Sequence, residues 1–497
     1  MPEGFASPEI SKQSILKRYG LLIALAALTG LLLIPAPHGL SIAGHRILAL
    51  LVFSVVLWMT EGVSYPVSGV IIATLMTFLI GMSPNPEKAG ALYGTSQGLT
   101  MALGGFSNTA CALVGAALFL AVAMTKTGLD RRIALKVLSL IGTSTNRIII
   151  GVILVGFVLS FFVPSTTARV ACLVPIVMGI IAAFGVDRSS RFASVLMIAT
   201  AQADSIWNVG IKTAAAQNMI AVSFIKQQLG YDITWLEWFI AAAPCAALMS
   251  VALFFILIKL MPPDLKEIPG GREIVRKQLA ALGPMSAPEK KLLCISIALL
   301  FFWTTEKILH DIDTSSSTLV AIALMMVPRL GIITWEQAQQ RIAWGTLFLF
   351  GIGISLGSAI VSTKAGVWLA KAIVSLFGLS TAPALLIVLT LAAFLIIIHL
   401  GFSSASGLAA AMIPIIIEIL KNVSTPGLNV IGMTMILQYV VSFGFILPVN
   451  APQNMIAFGT NTFSVPQFIR TGIPLTIIAY LLIALLSATY WKFLGLV

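Results

Sequence analysis

The sequence predicts an all-α polytopic membrane protein with two inverted-topology repeats, each holding a re-entrant helical hairpin and a broken transmembrane helix. Of its 497 residues, 58% are hydrophobic and only 10% are charged, whereas soluble proteins have about 25% charged residues. Apolar runs recur along the whole chain, and many are close to the length of about 20 residues that spans a bilayer as a helix. These runs lack the alternation of apolar and polar residues that is typical of a β-barrel strand. Motifs of the first half also recur in the second half, which indicates an internal repeat.

Residues 1–63 are predicted to form a cytoplasmic tail and the first spans. Lys12, Lys17 and Arg18 precede the first apolar run, and basic residues collect on the cytoplasmic side of membrane proteins. The same rule accounts for most of the formal net charge of +12. We therefore expect the lipid bilayer, and no nucleic acid, as the large-scale partner.

Residues 64–261 are predicted to form the first repeat, with a hairpin near 147–184 and a broken helix near 192–229. The hairpin contains FVPSTTARVACLVPI at 162–176. Pro164 ends one arm and Ser165 is a good N-cap for the next. A helix N-terminus carries partial positive charge and binds anions. The stretch KTAAAQN at 212–218 interrupts the following apolar run.

Residues 262–290 form a polar segment with clustered charge, including Arg272, Arg276 and Lys277. The positive-inside rule predicts a cytoplasmic linker. Since the N-terminus is predicted on the same side, an even number of crossings precedes this linker. An even number is obtained if the hairpin near 147–184 enters and leaves the membrane on one side and the two apolar runs of the broken helix near 192–229 count as one crossing.

Residues 291–497 are predicted to form the second repeat, with a hairpin near 382–421 and a broken helix near 428–463. Its hairpin contains GFSSASGLAAAMIPI at 401–415, and its break contains PVNAPQN at 448–454. QNMIA occurs at 217–221 and 453–457, and Ser404 follows Ser165 at a similar offset, 239 residues. A unit of five crossings inverts the second copy, and inverted repeats with broken helices are typical of secondary transporters.

Four ionisable residues lie inside apolar runs: Arg169, Asp204, Lys212 and His399. A charge in a membrane span costs at least about 2.5–3.5 kcal/mol and is retained with a partner or a purpose. Asp204 could pair structurally with Lys212 or Arg169, or the cations could compensate an anionic solute. For His399 a satisfied buried histidine is the stronger interpretation.

On these motifs the chain resembles the divalent anion:sodium symporter family of dicarboxylate and citrate carriers. Ser165-Thr166-Thr167 and Ser404-Ala405-Ser406 fall on the family's two Ser-Asn-Thr hairpin tips, and Gln217-Asn218 and Pro452-Gln453-Asn454 fall on its unwound loops. FSNTACALVGAALFLAVAMTKTGLDRRIAL at 106–135 is most similar to bacterial tartrate–succinate and citrate–succinate exchangers. The resemblance implies a homodimer that works by an elevator movement.

The resemblance also implies the site. The residues expected to bind substrate are Ser165, Thr166, Thr167, Ser404, Ala405, Ser406, Gln217, Asn218, Pro452, Gln453 and Asn454. Lys212 and Arg169 are expected to supply positive charge, with Asp204 holding one of them. Thr166 and Ala405 replace the two signature asparagines, which favours exchange of succinate-, malate-, tartrate- or citrate-like anions over ordinary sodium coupling. Lys212 would then stand in for a mobile Na⁺.

Several alternatives stay open at this level. The chain could be a Na⁺-coupled symporter of a dicarboxylate or of sulfate, with Na⁺ as a coupling ion and no other cofactor. An intramembrane enzyme would need His, Asp or Glu clustered at one depth, and only scattered single residues occur, so no enzyme is expected. The sequence specifies no metal site. The resemblance places the protein in a bacterial inner membrane.

Overall fold

The computed structural model describes residues 8–85, 88, 90–141, 144–183, 185–264 and 271–497. These residues form α-helices joined by loops and short 3₁₀ turns, and the described part of the chain contains no β-strand. The predicted all-α fold is therefore confirmed.

Twelve helices are described up to the middle of the polar linker. They are α1 (Pro8–Leu33), α2 (Ile42–Thr60), α3 (Tyr65–Gly81), α4 (Thr95–Leu103), α5 (Thr109–Thr127), α6 (Leu129–Ile141), α7 (Thr145–Phe162), α8 (Thr166–Ala183), α9 (Arg191–Gly210), α10 (Ala216–Leu229), α11 (Trp235–Leu260) and α12 (Gly271–Ala281).

Eleven helices are described after it. They are α13 (Ala287–Thr305), α14 (Thr314–Met326), α15 (Trp335–Arg341), α16 (Trp344–Ser362), α17 (Ala365–Leu376), α18 (Ala384–His399), α19 (Ala405–Lys421), α20 (Val430–Val441), α21 (Pro452–Phe458), α22 (Val465–Ala488) and α23 (Tyr490–Phe493).

Six stretches of the described chain are long and apolar enough to cross a membrane. They are residues 42–60, 109–127, 145–162, 235–260, 344–362 and 465–493. Shorter apolar helices include α3, α8, α14, α17, α18 and α20. The chain is thus an integral membrane protein, and several of its shorter helices belong to the predicted hairpins and broken helices.

The order of hairpin and broken helix occurs twice along the chain. In the first half α7 and α8 meet at residues 163–165, and α9 and α10 are separated by a 3₁₀ turn at Lys212–Ala214. In the second half α18 and α19 meet at 400–404, and α20 and α21 flank a 3₁₀ turn at Pro448–Asn450. Residue 184, at the predicted end of the first hairpin, lies outside the described residues.

The two halves cross-pack through these elements. Helix α8 packs on α9 of its own half and on α21 of the other, while α19 packs on α20 of its own half and on α10 of the other. Each hairpin therefore packs against the second part of the broken helix of the opposite half.

The polar linker contains α12, which packs on α6 and α8. Arg132 on α6 binds the end of the linker, donating to Glu289 at 2.6 Å and to the carbonyl of Gly283 at 2.9 Å. Residues 265–270 of the linker lie outside the described part. The predicted boundaries at 63, 261 and 290 stay predictions.

Candidate functional site

A cavity of about 680 Å³ lies where the two halves meet. Both hairpin tips and both interrupted helices contribute to its wall. The predicted residues that line it are Ser165, Thr166, Thr167, Ser404, Ala405, Ser406, Gln217, Pro452 and Gln453. The sequence motifs separated by more than 200 residues thus surround one space.

The two tips have the same local geometry. The Ser165 hydroxyl accepts a hydrogen bond from the Ala168 amide at 3.3 Å, and the Ser404 hydroxyl accepts one from the Gly407 amide at 3.3 Å. Each serine therefore caps the helix that follows it. The N-terminal ends of α8 and α19, which carry partial positive charge, are directed to the cavity, and Thr167 is exposed there.

Each interrupted helix is tied to the opposite half by a glutamine. Gln453 donates to the hydroxyl of Ser205 in the first half at 2.9 Å, and Gln217 donates to that of Ser442 in the second at 3.3 Å. Ser205 donates in turn to the Ala201 carbonyl. Each loop is thus held by the opposite half, which fixes the cavity wall between the tips.

A buried arginine supports the first tip from behind. Arg169 is fully buried and its Nε donates to Asp204 Oδ1 at 2.7 Å. Its Nη1 donates to the carbonyls of Val163 in the tip, at 2.8 Å, and Ala214 in the loop, at 3.0 Å. Asn208 Oδ1 accepts from Nη2 at 2.8 Å. Nη2 also donates to the Asp204 carbonyl at 3.4 Å, so all three guanidinium nitrogens have acceptors, whereas Asp204 Oδ2 has no hydrogen-bond partner among the described residues.

A neutral network supports the second tip. Asn450 donates through Nδ2 to the carbonyls of His399 and Phe402, at 2.9 and 3.1 Å. The His399 ring nitrogen Nε2 lies 3.4 Å from the Asn450 carbonyl oxygen. His399 is thus a buried histidine with one backbone partner, and its Nδ1 has no hydrogen-bond partner among the described residues.

Asn218 and Asn454 lie behind the loops and do not line the cavity. Asn218 is fully buried and donates to the Asn208 and Ile211 carbonyls at 2.7 and 3.2 Å. Asn454 is also fully buried and donates to the Gly444 carbonyl at 2.8 Å. In this structure the two amides donate to backbone carbonyls of the breaks, and their contact with a substrate stays a prediction.

Lys212 also lies away from the cavity. Its ammonium donates to the Ile233 carbonyl at 2.6 Å and borders a separate small cavity of about 30 Å³ with Asp232, Glu306 and Asp313. Asp204 therefore pairs with Arg169 and has no contact with Lys212 among the described hydrogen bonds and ion pairs. The charge that touches the first tip and loop is that of Arg169.

Several wall residues were not anticipated. Asn208 accepts from Thr166 Oγ1 at 2.7 Å and lines the cavity, as do Tyr65, Thr213 and Arg341. Asn208 could have been found as the amide that precedes the break in an apolar run. Thr213 belongs to the predicted break at 212–218, whereas Tyr65 and Arg341 lie far from it in sequence and carry no local signal. Within the described residues no group of His, Cys, Asp and Glu could hold a metal ion.

Comparison with known proteins gives matches along nearly the whole chain. The profile of the family described as "Sodium:sulfate symporter transmembrane region" matches residues 16–497. A protein of Cupriavidus necator named "Membrane protein" is 56% identical over 96% of this chain and 93% of its own length.

Two further similarities are more distant. The "Sodium-dependent dicarboxylate transporter SdcS" of Staphylococcus saprophyticus is 27% identical over 91% of this chain and 87% of its own length. The crystal structure of the Alcanivorax borkumensis YdaH transporter, described as having an unusual topology, matches with a TM-score of 0.56 at 14% identity. It covers 86% of this chain and 98% of the YdaH chain, which supports the fold.

Proposed function

Since the chain belongs to the sodium:sulfate symporter family, whose members are transporters and not enzymes, we propose that it moves di- or tricarboxylate anions across the membrane by exchange. The observation that carries this proposal is the cavity that Ser165 and Thr167 of one tip share with Ser404 and Ser406 of the other. Short hydroxyl side chains and two helix N-termini are donors suited to anionic oxygens.

The duplicated geometry favours a solute with two separated anionic groups. Each tip offers a capping serine and the start of a helix, so succinate, malate or tartrate could place one carboxylate at each. The relative named as a sodium-dependent dicarboxylate transporter supports carboxylates over sulfate. Ser165, Thr166, Thr167, Ser404, Ala405, Ser406, Gln217, Pro452 and Gln453 are the proposed contacts.

Exchange is favoured by the hydrogen bonds that the backbone carbonyls behind the tips already accept. In the sodium-coupled members that this sequence resembles, tips and loops hold the cations. Here the Val163 and Ala214 carbonyls are bound by Arg169, and the Phe402 carbonyl is bound by Asn450. At the first tip the fixed charge of Arg169 would repel a mobile Na⁺ and could act in its place, and at the second tip the amide of Asn450 competes for the carbonyl.

An empty site would then cross the membrane less readily than a loaded one. Its helix N-termini and hydroxyl donors would enter a low-dielectric region without an acceptor, and unpaired polar groups are costly there. A bound dianion supplies the missing partners. Return of the site therefore depends on a second anion, which is the condition for exchange.

We also propose a homodimer that moves the tips by an elevator movement in a bacterial inner membrane, with a cytoplasmic N-terminus. The family resemblance supports the first two, and the bacterial relatives support the location. Na⁺-coupled symport of a dicarboxylate is the second candidate, because the staphylococcal relatives are named as sodium-dependent.

Counterflow in proteoliposomes separates the two modes. Labelled succinate is supplied outside vesicles that contain unlabelled succinate, malate, tartrate, citrate, sulfate or no anion, in Na⁺ or choline buffer. We expect uptake that requires an internal carboxylate and is unchanged by replacement of Na⁺. Concentrative uptake into anion-free vesicles that requires Na⁺ would establish symport, and uptake stimulated by sulfate alone would overturn the carboxylate assignment.

A further inference from the structure

The cavity wall contains one charged side chain among the described residues, that of Arg341. Arg169, Asp204, Lys212 and His399 all lie behind the wall or elsewhere. An anion held between the tips therefore meets hydroxyls, amides and helix ends. The cation that a diffusing anion meets on the cavity surface is Arg341.

Arg341 lies at the C-terminal end of α15, which belongs to neither hairpin nor broken helix. Helix α15 is fixed to α5 by the bond from Lys126 Nζ to Gln337 Oε1 at 2.5 Å, and the rings of Phe119 and Trp335 lie 5.9 Å apart. Arg341 itself is exposed and makes no hydrogen bond or ion pair with the described residues. Its guanidinium is free to bind a ligand.

Contacts through α5 and α6 connect the helix that carries Arg341 to the polar linker. Thr125, another wall residue, is also exposed and precedes Lys126 at the end of α5. Helix α6 follows, and its Arg132 binds the linker through the Gly283 carbonyl at 2.9 Å. The cavity therefore extends from the tips toward the face of the molecule that carries the linker.

We propose that Arg341 captures the anion at the linker-side mouth of the cavity, as an anion-binding residue outside the repeated motifs. A cation at the mouth of a cleft with low-dielectric walls raises the local concentration of anions. A guanidinium also forms paired hydrogen bonds with a carboxylate. The inference rests on the proposed function and identifies where an anion from the linker side first binds.

The position of Arg341 makes its effect one-sided. Because α15 holds neither tip, Arg341 contacts the anion only while the tips are open to the linker face. An anion that arrives from the opposite face meets the same tips without this arginine. Arg341 therefore lowers KM on one face of the membrane and leaves KM on the other face unchanged.

The test measures the KM for succinate exchange from each face of the membrane. A membrane-impermeant inhibitor blocks the protein molecules in one of the two orientations, so that the other orientation is measured alone. Arg341→Gln should raise KM on the linker side roughly fivefold or more, with a larger rise for Arg341→Glu. Arg341→Lys should restore most of the affinity. Added salt should raise the wild-type KM on that side and have little effect on Arg341→Gln, because screening acts on the arginine.

Arg188→Gln is the matched control. Arg188 is exposed and lies just before α9. The first residue of α9, Arg191, places its Nε 3.8 Å from Oδ1 of Asp264 at the start of the linker. This variant removes the same charge from the same face without altering the cavity, and its KM should remain within twofold of wild type on both faces.

Equal changes on both faces, no change for Arg341→Gln, or an equal change for Arg188→Gln would overturn the role of Arg341. Absence of exchange in the wild type would instead overturn the proposed function. Succinate protection against thermal unfolding then gives a second readout for Arg341. Protection weakened by Arg341→Gln supports capture, and equal protection in both proteins contradicts it.

Discussion

The two hairpin tips have the same cap geometry but are supported in different ways. Phe402 follows Val163 by 239 residues, and Asn450 follows Ala214 by 236. In the first half the carbonyls of Val163 and Ala214 are joined by the Arg169 guanidinium. At the matching places in the second half, Asn450 donates to the Phe402 carbonyl, and His399 lies against that of Asn450.

This difference shows which features the two repeats share and which differ between them. Both halves keep a capping serine and a tip joined to its loop through backbone carbonyls. One half satisfies those carbonyls with a buried ion pair and the other with neutral groups. The repeated part is therefore the surface offered to the anion, and the support behind it can change its charge.

The largest expected effect comes from Arg169→Met. The substitution leaves Asp204 charged and buried without its partner, which typically costs about 3–5 kcal/mol. We expect a large fall in thermal stability, measured by tryptophan fluorescence in detergent, and loss of exchange. The double variant R169M/D204L should recover part of the stability, because no unpaired charge remains. A single variant as stable as wild type would show that the pair does not hold the first tip.

A smaller loss of stability is expected for Asn450→Ala. The change removes the amide that donates to the His399 and Phe402 carbonyls, and unsatisfied neutral groups cost about 1–3 kcal/mol each. The losses of thermal stability in this variant and in Arg169→Met are compared by thermal unfolding in the same detergent. If Asn450→Ala were the more damaging of the two, the neutral support would be the more important one.

Ser165→Ala and Ser404→Ala test the equivalence of the tips. Each removes one hydroxyl from the cavity and one cap, and a hydrogen bond to a charged group is worth about 1.5–3 kcal/mol. We expect KM for succinate to rise at least roughly tenfold in both variants. Ser139→Ala, outside the cavity, serves as the control. A large effect in one variant alone would mean that a single tip binds the anion.

The smallest effect is expected for Lys212→Met. Lys212 borders the small cavity with Glu306 and Asp313 and does not line the large one. We expect KM for succinate to change by less than about twofold, since the ammonium is not in contact with the anion. Abolished exchange in a stable Lys212→Met protein would support Lys212 as the charge-compensating cation that the sequence predicts.

The sequence was sufficient to predict the tips and breaks for a physical reason. Proline, hydroxyl and amide residues inside apolar runs are unfavourable in lipid, so Pro164, Ser165 and Pro452 mark positions where backbone leaves the helix. Their recurrence in the second half, at offsets of 236 and 239 residues, indicates an internal repeat. The all-α membrane fold and the family followed from the same signals.

Side-chain orientations within the breaks and contacts between distant helices could not be predicted from the sequence. Whether Asn218 faces the cavity or its own loop depends on a few rotations of backbone within the break, and no local pattern records them. The choice of Arg169 over Lys212 as the partner of Asp204 depends on packing between α8 and α9. Arg341 has no motif, because its role arises only where α15 meets the wall built by other elements.

The most direct test of the account is a cryo-electron microscopy map of the protein with bound succinate. We predict density for one anion in the large cavity, with a carboxylate at the Ser165 tip, the other at the Ser404 tip, and Arg169 still bound to Val163 and Ala214. An anion on Lys212 in the small cavity, or at one tip with the other withdrawn, would contradict the claim that the two halves bind one dicarboxylate.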